Sequence, residues 1–428
     1  VSKSGLRILV VGNGGREHAL AWALGRSPHI DTILAAPGNA GIPFANRLLI
    51  PVHFVDSLVA AAREQSIDLV VVGPEVPLAL GLADALTAAG VRVFGPSAEA
   101  AQIEASKSFA KALMDEAGIP TARYSVFDDF DAACDFIQSR PFDSPGVVVK
   151  ADGLAGGKGV FVCDDFQQAE EALKHCIVAR ALGDAGARVV IEERLGGREV
   201  SALAFCDGQR LALFPPARDH KRLRDGDTGP NTGGMGAIAP AADVSPALMA
   251  EIERRVLQPC IDTLRAWGTP FVGVLFAGLM LTPSGIQTLE FNCRLGDPEA
   301  QTLLPLLDCD LVTVIQDCID GKLDPRSVRW RTGSSATVVF TAPGYPGDYV
   351  MDMPISGLDA ATQAGATVFH AGTALETTGG IVTCGGRVLA VTALEADLDH
   401  ALRTAYTAAS KIHFEGAHYR RDIGKANA

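Results

Sequence analysis

The 428-residue chain lacks an excess of positive charge, paired cysteine motifs and long apolar runs, and each absence narrows its function. A formal net charge of -13 argues against a general nucleic-acid binder, whose electrostatic footprint is basic. An anionic substrate held in a local basic pocket stays compatible with that charge. Nine cysteines are scattered without a C-x-x-C pair, so neither a zinc knuckle nor a redox motif is present. An odd number of such thiols fits a reducing compartment, and a cytoplasmic location is expected. No apolar run approaches the roughly 18 residues of a membrane span. The first apolar run leads into a glycine turn, which reads as a first strand rather than a secretory signal. No internal repeat or long low-complexity segment stands out. The P-loop signature G-x-x-x-x-G-K-[ST] is also missing.

What is present is ordinary globular composition, 48% hydrophobic and 20% charged, over a length that predicts roughly three domains. Residues 7 to 105 alternate strand and helix patterns: strands over Arg7–Val11, Thr32–Ala35, Leu69–Val72 and Val91–Phe94, helices over Arg16–Leu24, Ser57–Gln65 and Leu78–Ala89. Such alternation predicts a parallel sheet with helices on both faces, and ligands at the carboxyl ends of its strands. Two strand ends carry candidate residues: Gly12, Asn13, Gly14 and Gly15, then Pro74 and Glu75. A dinucleotide fingerprint fails there, because Glu17 replaces its third glycine and residues 32–37 offer no carboxylate for a ribose. A small phosphorylated ligand at the helix start remains physically sensible, with Arg16 and His18 as added donors. The alternative is a tight strand-to-helix turn.

A single helix, Glu99–Ala117, is expected to lead into a smaller α+β segment. At its heart lies Val147 to Val162, two valine-rich runs around a loop that includes Gly156, Gly157, Lys158 and Gly159. The runs read as strands. The loop is too long for a two-residue hairpin, and its backbone N–H groups could cradle a polyphosphate. A flexible hairpin tip is the plain alternative. Topped by such a loop, the segment could act as a mobile lid. Beyond it, Glu192 and Glu199 sit at the end of one strand and the start of the next, flanking one crevice.

Pro215 to Pro240 is expected as a long loop region dense in glycine and in Arg218, His220, Lys221, Arg222 and Arg224. Long loops without secondary structure are usually functional or disordered, and anion capture is the preferred reading over a solvated basic loop. In the strand that follows Ile286, alternation puts Glu290, Asn292 and Arg294 on one face. A carboxylate, an amide oxygen and a guanidinium in a row suit a hard cation bridging to phosphate oxygens. A solvated edge-strand face is the alternative. The final α+β unit, from Ser335, carries no chemistry of its own by sequence.

Taken in order, GNGGREHALAW, PGNAG, VVGPEVPL, KADGLAGGKGV, the DHKR and DTGPNTGGMGA loop, LEFNCRLGDPE, GYPGDY, HAGT and GGRVLAVTA resemble the ATP-grasp superfamily. Within it they resemble the phosphoribosylamine–glycine ligase (glycinamide ribonucleotide synthetase) family over essentially the whole chain. The resemblance implies a Rossmann-like N-terminal domain (1–104), an ATP-grasp domain of two subdomains (105–328, lid about 124–193) and a small α+β C-terminal domain (329–428). It implies Lys107 and Lys150 on the ATP phosphates under the glycine loop, and Glu192 on the adenine amino group. Hinge contacts would come from Glu193, Arg194 and Leu195, and Glu199 would take the ribose hydroxyls. Glu290 and Asn292 would bind Mg2+ (or Mn2+). One departure stands out: where many ATP-grasp enzymes carry a second acidic ligand, this chain has Phe276-Ala277-Gly278-Leu279.

The implied reaction joins glycine to 5-phosphoribosylamine at the expense of ATP, through glycyl phosphate, in purine biosynthesis. It needs no protein nucleophile. Lys150, Arg294, Asp219 and Lys221 are the expected catalytic side chains. Gly12–Gly15 are expected on the sugar phosphate, Glu75 (after Pro74) on the sugar or amine, and Asp219, Lys221, Arg294, Gly296 and Asp297 about glycine. A monomer is expected, with no nucleic-acid or membrane partner. The rivals are a carboxylase-like or formate-using ATP-grasp enzyme, an NAD dehydrogenase and a non-catalytic metabolite-binding protein.

Overall fold

The computed structural model describes residues 5–139, 142, 146–377 and 379–425; the outermost ends of the expected first and last domains lie outside these. The N-terminal strands form one parallel sheet, ordered Ile30–Pro37, Leu6–Gly12, Leu69–Val72, Arg92–Phe94. The apolar run of Leu6–Gly12 is central in it and buried from Ile8 onward, as expected of a strand covered on both faces. The expected helix Leu78–Ala89 is instead two, Glu75–Ala79 and Leu82–Ala88, parted at Gly81. The expected helix Glu99–Ala117 also breaks. Ser106 is extended there, and its hydroxyl caps a new helix, Lys107–Ala117, by accepting the Phe109 N–H. This break sets Lys107 at a helix start rather than in a helix middle.

The lid segment is a four-stranded antiparallel sheet ordered Tyr124–Phe127, Val189–Glu193, Val147–Ala151, Val160–Cys163. Val149, Ala169, Leu173, Cys176 and Ile191 give it an apolar cluster of its own. The rest is fused: Val11 and Val70 of the N-terminal sheet share one cluster with Val200, Leu275 and Phe291. Those last three belong to a second antiparallel sheet, ordered Leu211–Leu213, Arg198–Asp207, Val272–Thr282, Gly285–Asn292. The lid sheet and this sheet face each other across a cleft.

Pro215 to Pro240 is not a structureless loop. Arg222–Arg224 and Thr228–Asn231 pair as a small hairpin. Arg218–Asp219 and Gly236–Ala239 join Ser334–Thr341, Arg387–Glu395 and Thr367–His370 in a five-stranded sheet. The glycines that read as loop in sequence allow close strand pairing here, and the C-terminal sheet therefore reaches back into the middle of the chain. A buried hydroxyl chain binds it to the adjacent helix Glu299–Leu303: Thr302 and Thr337 oxygens lie 2.7 Å apart, Thr337 and Thr392 oxygens 2.8 Å. Among the described residues, no helix is long and apolar enough to cross a membrane. Thr337→Val is expected to destabilise the protein by about 1–3 kcal/mol, because both neighbours lose a buried partner. An unchanged denaturant midpoint would show that the chain of hydroxyls contributes nothing.

Candidate active site

The cleft between lid and central sheet has a volume of ≈ 540 Å³ and takes residues from every part of the fold. Lys150 lies on the inner lid strand and is almost wholly buried. Its Nζ is 2.9 Å from Glu192 Oε2 and donates to the Leu289 carbonyl at 2.9 Å, so it spans lid and central sheet. Lys111, which the sequence reading did not single out, approaches Glu192 Oε1 at 3.1 Å and donates to Thr121 Oγ1 at 2.7 Å. Burial brings the Lys111 pKa down to about 8 against the pull of Glu192. Its signal in sequence was position alone, one helical turn after Lys107. Glu193 turns its carboxylate to Arg123, and Leu195 lines the cleft beside it.

Lys107 is placed by Asp152, the first residue of the glycine loop. The Asp152 carbonyl accepts the Lys107 N–H at 2.9 Å, and its carboxylate accepts the Ser108 N–H at 2.7 Å. Lys107 Nζ lies 3.7 Å from Glu290 Oε2. Burial would raise the Glu290 pKa, but Lys107, Lys221, Lys150 and Arg294 outweigh it and bring it to about 2. Glu290 is therefore ionised at neutral pH. Asn292, two residues on, is buried and lines the same wall. A carboxylate and an amide oxygen are hard donors that fit a magnesium-type ion taking its other ligands from phosphate. Among the described residues, no group of three His, Cys, Asp or Glu side chains is arranged around a metal position. Gly278 pairs with Glu290 across the strands, and a Cβ there would stand 3.4 Å from Glu290 Cγ.

In the glycine loop, Gly156 and Gly157 adopt φ of +56° and +78° with open space around them, so backbone conformation explains both glycines. Gly156, Gly157 and Gly159 line the cleft, whereas Lys158 is exposed and is not part of its wall.

At the opposite end, Arg294 donates to Glu104 Oε1 at 2.6 Å and to Glu75 Oε2 at 3.2 Å. Arg16 Nη1 lies 4.0 Å from the same Glu75 oxygen. Burial would raise Glu75, but Arg294 and Arg16 hold its pKa at about 2. Burial and the Glu75 charge push Glu104 upward against Arg294. Asp297 takes a Gln301 amide at 2.7 Å and lies 3.3 Å from Arg387 Nη2. Arg387 comes from the C-terminal sheet, so the expectation that this unit carries no chemistry is corrected. In sequence it is marked only by the glycine pair before it, Gly385-Gly386. Lys221 Nζ meets Glu199 Oε2 at 2.5 Å. Burial, together with the Glu299 charge, raises the Asp219 pKa well above its usual range, and its Oδ1 has no hydrogen-bond partner.

Gly12, Asn13, Gly14, Gly15 and Pro74 stand just behind this end and do not line the cleft, although Arg16, Glu75, Gly296 and Asp297 do. The Gly14 N–H at the helix start already donates to Glu17 Oε2 at 2.6 Å. His18 is not the donor expected there. It is turned inward against Phe369, its Nδ1 accepts the His370 N–H at 2.8 Å, and burial beside His370 lowers its pKa to about 3.

Two facing antiparallel sheets, one a glycine-loop lid, with ionic side chains between them define an ATP-grasp enzyme. ATP use and reliance on a divalent cation accompany that fold in general. Residues 6–104, 105–300 and 335–426 match the N domain, the ATP-grasp (A) domain and the C domain of phosphoribosylglycinamide synthetase, and the chain belongs to this family. It is 53% identical over 98% of its length to a trifunctional purine biosynthetic protein adenosine-3 of Gallus gallus, of which it spans 42%. It is 51% identical to a phosphoribosylamine–glycine ligase of Nostoc sp., with 98% of this chain and 99% of that one covered. The crystal structure of the Thermotoga maritima phosphoribosylamine–glycine ligase superposes with a TM-score of 0.85 at 34% identity, over 98% of this chain and all of that one.

The Glu75 environment predicts an acid-sensitive contribution to folding. Its folded pKa lies below the unfolded value of 4.5, so the stability it adds is present above pH 4.5 and is lost as pH falls through about 2. Glu75→Gln is expected to remove roughly 3 kcal/mol of the pH dependence across that window. Parallel stability curves for the two proteins between pH 5 and 2.5 would refute this.

Proposed function

We propose that the chain joins glycine to 5-phosphoribosylamine with hydrolysis of ATP to ADP and phosphate, the glycinamide ribonucleotide step of purine biosynthesis. The observation that carries this reading is the charge arrangement of one cleft, with lysines and ionised Glu290 at one end and Arg294, Asp297 and Asp219 at the other. Lys107 and Lys150 face the phosphates of ATP, Glu192 the adenine amino group, and Glu199 the ribose. Lys111 holds Glu192 in register. Glu290 and Asn292 would hold Mg2+ or Mn2+, which when bound neutralises phosphate charge during transfer. The glycine carboxylate attacks the γ-phosphorus, and the bond to the β-phosphate oxygen breaks to release ADP. The amine of phosphoribosylamine then attacks the acyl carbon of glycyl phosphate, loses a proton and expels phosphate. Arg294 suits the glycine carboxylate by its fork, and unpartnered Asp219 suits the ammonium group. Arg16, Arg387 and the Gly12–Gly15 helix start lie on the side proposed for the sugar phosphate. The lid, about residues 124–193, has its own core, which supports its moving as a body to keep water from the acyl phosphate. A cytoplasmic monomer is the accompanying proposal.

ADP release with glycine and phosphoribosylamine, each omitted in turn, tests the reaction. ADP formed with bicarbonate or formate but not with glycine would sink it in favour of a carboxylase-like reading. Glu290→Gln is expected to lower kcat at least about tenfold at fixed metal concentration. Asp219→Asn should raise KM for glycine about tenfold, with KM for ATP nearly unchanged, if the lost charge contact is worth one decade.

A further inference from the structure

Residues 418–424, near the end of the described chain, close over the small hairpin Arg222–Asn231 on the side away from the cleft. Arg420 is wholly buried. Its guanidinium donates to Asp227 Oδ1 at 2.6 Å, to both Asp422 oxygens at 2.7 and 2.8 Å, and to the Arg222 carbonyl at 3.1 Å. Around it, Asp225 accepts the Arg421 N–H at 2.8 Å, and Asp422 accepts the Gly226 N–H at 2.7 Å. His418 Nε2 lies 2.9 Å from the Leu223 carbonyl, and His220 Nε2 accepts the Gly424 N–H at 3.1 Å. No described residue of this tail lines the cleft.

The hairpin needs such support. A lone two-stranded ribbon is marginal in water, and this one pairs only Arg222 with Asn231 and Arg224 with Thr228, with an irregularity between them. Asp225, Asp227 and Asp422 bring three negative charges to its tip, and Arg420 is the buried cation that meets two of them. At the hairpin's base lies the cleft. Thr232 donates to the Lys221 carbonyl from its N–H and its hydroxyl, both at 2.8 Å, and Lys221, Asn231, Thr232 and Gly233 line the cleft wall next to Asp219.

We propose that Arg420 is a positioning residue for the glycine-binding half of the site. It acts through the hairpin, fixing the base that presents Asp219 and Lys221. The functional part of this proposal rests on the glycine placement given above; the structural part does not. Three variants test it: Arg420→Met, Arg420→Lys, and Asp227→Asn, which sits at the exposed tip and leaves the buried guanidinium its Asp422 partner. Arg420→Met is expected to raise KM for glycine about tenfold or more while KM for ATP stays within about twofold. Arg420→Lys should fall between it and the parent protein, and Asp227→Asn should shift glycine KM the same way by less. Amide hydrogen exchange should quicken over 220–233 in Arg420→Met and stay unchanged over the strands of residues 6–94. Equal rises in both KM values, or unchanged exchange over 220–233, would overturn the proposal. If the parent protein forms no ADP with glycine, the proposed reaction fails, and the exchange comparison still decides whether Arg420 holds the hairpin.

Discussion

The guanidinium of Arg294 is the constraint on which the rest of the structure turns. It lies just past the edge strand Gly285–Asn292 and binds Glu75, at the start of a helix of the N-terminal unit, and Glu104 from the segment between the domains. Three separately built parts of the chain are thereby pinned within a few ångströms of one another. Burying such charges is costly, and the cost is offset because Arg294 donates to Glu75, to Glu104 and to the Leu295 carbonyl. Glu104 illustrates this: its second oxygen takes the Cys293 N–H at 2.7 Å, so the residue beside Arg294 is held by the same carboxylate. The N-terminal and central sheets also share apolar contacts, which makes the ion cluster a locator on an already packed interface rather than its cause.

The cleft follows from how charge is distributed about that point. Toward the lid, lysines gather around Glu290 and Glu192, each carboxylate meeting a cation from a different element. Toward the N-terminal sheet, arginines and carboxylates alternate, and one carboxyl group, Asp219, is left with an oxygen unbonded. A protein that is acidic as a whole thus gathers Lys150, Lys107, Arg294 and Arg387 along one channel, which is where a polyphosphate and a sugar phosphate would both be welcome.

Much of this was legible in residue order. The parallel sheet followed from βαβ periodicity, and the glycine-loop hairpin followed from two valine runs. Glu290 and Asn292 both reach the cleft, as strand alternation predicts, but Leu289 and Phe291 line it too and Arg294 lies beyond the strand's end. What escaped was of two kinds. Local breaks such as Ser106 and Gly81 were hidden because helical spacing of apolar residues continues across them, and only capping and backbone sign mark the interruption. Contacts between distant segments were hidden altogether. Lys111 against Glu192, Arg387 against Asp297 and Arg420 against Asp227 join residues that no periodicity connects. The Pro215–Pro240 stretch misled for a related reason: its strands are short and glycine-rich, and one of them, Gly236–Ala239, pairs with a strand about a hundred residues away.

That last feature bears on the order in which the molecule can be assembled. Gly236–Ala239 pairs with Arg218–Asp219 on one side, but its other partner is Ser334–Thr341, which in turn lies against Arg387–Glu395. A chain leaving the ribosome from its N-terminus can complete the first parallel sheet and the lid early, since their partners are close in sequence. The sheet that carries Asp219 is complete only once Ser334–Thr341 and Arg387–Glu395 have been made. During synthesis, then, a nucleotide-sized cleft would exist before the wall that closes its far end. Long-range pairing of this sort is slow to form, and it makes the final stretch of the chain the last piece of the site to arrive.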